Sequence, residues 1–179
     1  MRIALFACIG LFFACANSAT EKELQQQIEQ LKAIEIMKEA IGNRNKNSVK
    51  EFFKVLENEN ISGLVNLFAE DGKHINPYHS GIFLEGAVGK EAIKAYWTPV
   101  FSNFDGMTFP IEEIYAMEDP QVVFVQYTGN IKLKNNAGIY RNDYYSIFKF
   151  NSDGKIKEYV ELFNPIIAAR SFGLLDEIK

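Results

Sequence analysis

Apolar residues recur at helical spacing through roughly the first hundred residues and at strand spacing after that, a pattern that predicts helices followed by a sheet. In residues 20–41, Leu24, Ile28 and Leu31 lie four and then three positions apart, with Ile34, Ile36 and Met37 beyond them. This stretch reads as an amphipathic helical lead-in. Gly42, Asn43, Asn45 and Asn47 predict a break after it. Ser48 then suits the N-cap of a helix carrying Val49, Phe52, Phe53, Val55 and Leu56. A second, shorter helix sets Ile61, Leu64, Val65, Leu67 and Phe68 on apolar positions and is expected to close at Gly72. A strand over 74–78 and a short segment over 82–85 precede Gly86 and Gly89. The third helix carries Ile93, Tyr96, Trp97, Val100 and Phe101, and Pro99 is expected to kink or locally unwind it.

From Met107 onward long β-rich segments alternate with turn chemistry at Glu118-Asp119-Pro120, at Asn135-Asn136-Ala137-Gly138 and at Asn151-Ser152-Asp153-Gly154. Four strands in consecutive hairpins are predicted. Helices first and an antiparallel meander after them indicate an α+β class, with about three N-terminal helices covering one face of a curved antiparallel sheet. The chain carries no internal repeat and no low-complexity stretch.

The first residues have a different texture. Arg2 is followed by an apolar run over 3–13 and then by the small residues Ala14, Cys15, Ala16, Asn17, Ser18 and Ala19, the layout of a secretory signal peptide. The run is well short of the roughly 20 residues that span a bilayer. Residues 1–19 are thus expected to be an export signal, cleaved after Ala16, Ser18 or Ala19, with a lipid anchor at Cys15 as the rival reading. Periplasmic or secreted placement follows, and no membrane span is expected. Residues 20–42 then form the lead-in and 43–179 the domain. Cys8 and Cys15 are the two cysteines, so cleavage after them leaves no thiol for a disulfide or for cysteine catalysis.

With 179 residues, 47% of them hydrophobic, the chain can bury one sizeable core and has no room for a second domain of that kind. Lys and Arg number 19 against 23 Asp and Glu, a net charge of -4, which is the wrong sign for a phosphate-backbone binder. Nucleic acid is not an expected partner. No G-x-S-x-G elbow, phosphate-cradling glycine loop or dinucleotide fingerprint occurs, so no cofactor is expected.

The order of elements and several strings resemble the nuclear transport factor 2-like superfamily, in its SnoaL-like and phenazine-biosynthesis A/B branch. Leu67-Phe68-Ala69-Glu70-Asp71-Gly72 resembles the end of the second helix in the phenazine-biosynthesis proteins, and Gly89-Lys90-Glu91-Ala92-Ile93 the start of their third. Asp153-Gly154-Lys155-Ile156-Lys157 and Glu161-Leu162-Phe163-Asn164 are similar to their last hairpin and strand, with Arg170 where an arginine follows. Asn164-Pro165 is similar to the close of the SnoaL-like cyclases. The resemblance implies a cone-shaped, cystatin-like sheet under helices, enclosing one ligand-sized cavity. Taken singly, each string is turn or cap chemistry and identifies a fold, not a site.

In the last strand, alternation sets Tyr159, Glu161 and Phe163 on one face and Glu158, Val160 and Leu162 on the other. A carboxylate between two aromatics is suited to general acid or base work if that face lines the cavity. The resemblance puts the family's acid/base glutamate at Glu161 and sets Tyr96 where that family has a histidine, which speaks against its imine-forming condensation. Tyr96 is left to orient a carbonyl or to pack beside Trp97. Asp143 is a candidate second carboxylate, set against a surface ion pair with Arg141 or Lys149.

His74 and Asn76 share one face of the first strand and are candidate pocket residues, with a structural histidine as the alternative. Tyr127 and Tyr145, like Tyr115 and Tyr140, recur along the long strands and offer flat apolar bodies with polar tips, and with Trp97 they suit a planar ligand. His74 and His79 match no metal-ligand spacing, and no metal is expected. The expectation is a homodimer that holds a small cyclic or apolar molecule, either as a cofactor-independent isomerase, cyclase or lyase or as a non-catalytic binding module. A structural dimer built on the open sheet face is the third reading.

Overall fold

The computed structural model describes residues 6–178, excepting the side chains of 6–19 and of Asn136. The expected export signal, with Cys8 and the candidate anchor Cys15, falls on 1–19 and lies outside what is described of the side chains. Among the described residues no helix is long and apolar enough to cross a membrane. The chain divides between Ala40 and Ile41 into two compact units. In the first, the helix α1 (Phe6–Glu57) exposes every side chain from Thr20 to Ala40, including Leu24, Ile28 and Leu31.

In the second unit α1 runs on without the predicted break and without an N-cap at Ser48. Two of the residues that suggested a break, Gly42 and Asn45, have tertiary contacts instead. Gly42 is buried where a β-carbon would come within 2.8 Å of the Ala116 β-carbon. Asn45 is fully buried, and its amide nitrogen donates to the Pro120 carbonyl at 2.8 Å and to Gln121 Oε1 at 3.1 Å. Arg44 reaches the Ser152 carbonyl at 3.1 Å. These contacts seat the helix on two β-turns.

Helix α2 (Ile61–Leu67) begins at Asn60, whose side chain accepts from Gly63 N, and it ends earlier than predicted. Phe68 opens strand β1 (Phe68–Ile75), so Ala69, Glu70, Asp71 and Gly72 belong to a strand and do not close a helix. Gly72 marks close approach, because a β-carbon there would meet the Ile156 carbonyl at 2.9 Å. The remaining elements are β2 (Gly86–Val88), α3 (Lys90–Asn103), β3 (Phe104–Thr108), β4 (Ile111–Ala116), β5 (Val122–Leu133), β6 (Ile139–Phe150), β7 (Ile156–Phe163) and α4 (Pro165–Phe172). Helix α3 continues through Pro99 to Asn103.

Helices cover one face of a strongly curled sheet, the α+β cone that the sequence predicts. Its strands run β2-β1-β7-β6-β5-β3, with β4 also on β5. Pairing is antiparallel throughout except between β1 and β7, which run parallel with His74 beside Tyr159. Five strands, not four, follow α3, because Phe109-Pro110 divides the first predicted strand into β3 and β4. The core is aromatic: the Phe52 ring lies 5.1 Å from Phe148 and 4.7 Å from Tyr159. Each such pair contributes on the order of 1 kcal/mol beyond its buried area.

Helix α4 was not predicted, although its signals are present. Asn164 caps it by accepting from Ile166 N and Ile167 N, Pro165 occupies its first turn, and Gly173 ends it in the left-handed region at φ 71°.

Candidate functional site

The inward faces of β5, β6 and β7, with α3, α4 and the end of α1, enclose a cavity of about 140 Å³. Its wall is apolar over most of its area, with Leu56, Trp97, Val100, Met107, Phe109 and Phe172 among the contributors. The polar exceptions are Asn76, Glu161 and the phenols of Tyr96, Tyr127, Tyr140, Tyr144 and Tyr159. Strand alternation delivers them. Ser146, Tyr144 and Phe148 of β6 lie directly opposite Glu161, Phe163 and Tyr159 of β7, so all six share the inward face.

Among the described residues Glu161 is the one carboxylate in the cavity wall, with a side chain 13% exposed. Tyr159 donates its hydroxyl to Glu161 Oε1 at 2.9 Å, and Tyr127 approaches the same oxygen at 3.4 Å. His74 Nε2 stands 3.3 Å from Glu161 Oε2, reached across the parallel pairing of β1 with β7. The imidazole is itself held between the Tyr159 ring, 4.8 Å away and inclined 24°, and the Trp97 ring, 5.5 Å away and inclined 14°. The edge of Tyr96 packs at 4.5 Å. Behind the carboxylate the hydroxyls continue as a chain, Tyr159 to Tyr127 at 3.1 Å and Tyr127 to Ser146 at 3.3 Å.

Burial pushes the Tyr127, Tyr144 and Tyr159 phenols well above their ordinary range, and the Glu161 charge pushes each further. Tyr140 is raised chiefly by burial, against hydrogen bonds from Tyr144 and Asn142. Tyr96 is likewise raised by burial and by Glu161, with the Asn76 side chain drawing it partly back. At neutral pH these groups are neutral hydrogen-bond donors around one carboxylate.

Of the candidates drawn from the sequence, Glu161, Tyr96, Asn76, Trp97, Tyr127, Tyr159 and Phe163 line this cavity together. His74 stands behind it, fully buried, as the partner of Glu161. Asp143 and Tyr145 do not belong: they project from the opposite face of β6, where Asp143 accepts from Thr128 at 3.3 Å and Tyr145 is exposed. Lys149, expected beside Asp143, pairs with Glu158 at 2.6 Å. Tyr140, named only among the recurring strand tyrosines, and Tyr144, not singled out by the sequence, also line it. Their signal was available, since Tyr144 is in step with the buried Ser146, Phe148 and Phe150.

Comparison with known proteins agrees with this architecture. The SnoaL-like domain profile matches residues 49–159. Among solved structures, a phenazine biosynthesis-related protein from Pseudomonas aeruginosa is similar at 20% identity and TM-score 0.66, over 76% of this chain and 90% of that one. A candidate isomerase from Bacillus subtilis is similar at 19% identity and TM-score 0.66, over 74% and 94% of the two chains. TerC, crystallised with polyporic acid, is similar at 16% identity and TM-score 0.63, over 73% and 98%. At these identities the likeness is one of fold. Among curated protein sequences none matches the chain.

Proposed function

The chain belongs to the SnoaL-like domain family, and from that premise we propose that it binds a small, largely apolar cyclic molecule and that Glu161 moves a proton on it without a cofactor. The observation that carries this reading is a lone carboxylate in an apolar cavity, 3.3 Å from His74 and 2.9 Å from the Tyr159 hydroxyl. Apolar cavities of about 150 Å³ are large enough for benzene, so a space of about 140 Å³ suits roughly one six-membered ring. General acid or base catalysis needs a group within hydrogen-bond reach of the reacting proton, and Glu161 borders the space in which that ring would lie. The reaction class is isomerisation, cyclisation or a related elimination. A neighbour of this fold named as a candidate isomerase and another crystallised with polyporic acid support the reading at the level of the fold.

A thermal-shift screen of single-ring metabolites identifies the ligand through its stabilisation of the folded state. With that ligand, Glu161→Gln should still bind while turnover falls by about a hundredfold or more. Equal turnover in variant and wild type rejects the catalytic role. Ligand stabilisation with no product at any concentration supports the second reading, a binding module, which the same apolar cavity favours.

The reading includes export, supported by the apolar run and small residues of 1–19, and pairing of two copies. N-terminal sequencing of the mature protein should start after residue 16, 18 or 19, and an intact Met1 contradicts export. A lipid on Cys15 would appear in the mass of the mature chain. Sedimentation at micromolar concentration should give twice the chain mass, and a monomer there contradicts pairing.

A further inference from the structure

Two phenols in the cavity wall carry one more proton than the hydrogen bonds of the described residues around them accept. Asn142 fixes the count. Its Oδ1 accepts from the Asn164 backbone N–H at 3.3 Å and its Nδ2 donates to the Asn164 carbonyl at 2.9 Å, so the amide cannot be turned over without losing both bonds. Its second N–H therefore donates to the Tyr140 hydroxyl, at 2.9 Å. The hydroxyls of Tyr140 and Tyr144 are 2.9 Å apart. Two O–H protons share that single contact. Whichever phenol donates across it, the proton of the other finds no acceptor among the hydrogen bonds of the described residues.

Both tyrosines line the cavity, and both are nearly fully buried, at 4% and 6% exposure. A buried donor without an acceptor destabilises the site that holds it, so a ligand that supplies the acceptor binds more tightly there. Tyr144 lies opposite Phe163 while Glu161 lies opposite Ser146, which makes Tyr144 and Glu161 diagonal neighbours on one face. The backbones of such neighbours are about 7–8 Å apart, so both side chains border the same stretch of cavity wall and one small ring can touch both.

We propose that the Tyr140–Tyr144 pair is a subsite for the carbonyl oxygen of a single-ring ketone whose ring extends toward Glu161. This rests on the cavity reading above and names the chemistry of its ligand. A donor at that oxygen is also where negative charge would collect if the carboxylate took a proton from a carbon beside the carbonyl, the C–H electron pair moving to form the enolate.

The test uses 2-cyclohexen-1-one and cyclohexene, which differ at the carbonyl, with binding to the full chain followed by NMR titration. Tyr140→Phe and Tyr144→Phe each leave one phenol proton free, so each should change ketone affinity by no more than about twofold. The double variant leaves no phenol proton, only the N–H of Asn142, a residue that does not line the cavity, and should lose about fivefold to tenfold in ketone affinity with cyclohexene unchanged. A merely structural role would move both probes alike or neither. In the wild type the infrared carbonyl stretch of bound cyclohexenone should lie below its value in hexane, and this remains decisive if the double variant does not fold. An unshifted stretch, or a double variant with undiminished ketone affinity while cyclohexene still binds, overturns the subsite alone. Binding of neither probe to the wild type overturns the cavity reading and the subsite with it.

Discussion

At Glu161 a carboxylate sits where two phenols and an imidazole converge, inside a wall that is apolar over most of its area. The tyrosines around it report on that environment. Five of the chain's eight, Tyr96, Tyr127, Tyr140, Tyr144 and Tyr159, are raised above the ordinary 10.0, each chiefly by burial. A phenol whose folded value is raised keeps its proton longer in the native state than in the unfolded chain. Its contribution to stability is complete below about pH 10 and is lost as pH rises through the folded value. Alkaline titration followed by phenolate absorbance should show these five ionising together with unfolding. Ionisation of all eight near pH 10 in a chain that is still folded contradicts the buried placement. Strand alternation made Tyr159, Glu161 and Phe163 legible as one face. It left open which face of β6 turns inward, because alternation defines two faces and only the helices choose between them. For that reason the sequence offers Asp143, beside its surface ion-pair reading, and Tyr145 as candidates and does not point to Tyr144.

Among the elements, the second-unit part of α1 and α4 depart most from what the sequence suggested, for opposite reasons. In α1 a glycine and three asparagines within six residues read as a break by local propensity, and tertiary contacts override it. Asn45→Ala removes the donor to Pro120 and Gln121, and should lower stability in urea unfolding by about 1–3 kcal/mol. A loss below a few tenths would mean that this amide does not anchor the helix. In α4 the cap residues were all present, but the helix has only eight residues and its apolar positions are few enough to pass for a tail. Asn164→Ala should cost about 0.5–2 kcal/mol through the lost cap. It should also weaken ligand binding, since α4 carries Ala168 and Phe172 into the cavity wall. Unaltered affinity alongside lost stability would show that α4 is not needed to close the site.

For the molecule as a whole, the order of helices and hairpins was enough to read an α+β cone, because one-sided amphipathic helices and alternating strands have few ways to bury their apolar faces together. What the order could not supply was the parallel joining of β1 to β7, which brings His74 to Glu161 from a strand far away in sequence. In this chain the imidazole reaches the carboxylate from β1, while α3 presents Tyr96 to the same cavity. The most direct test is a crystal structure of the chain with its strongest single-ring ligand from the thermal-shift screen. The account predicts ligand density between Trp97, Tyr144 and Phe172, with one ligand atom within about 3.2 Å of a Glu161 oxygen. Ligand density elsewhere on the molecule, with this space empty or filled by side chains, would contradict it.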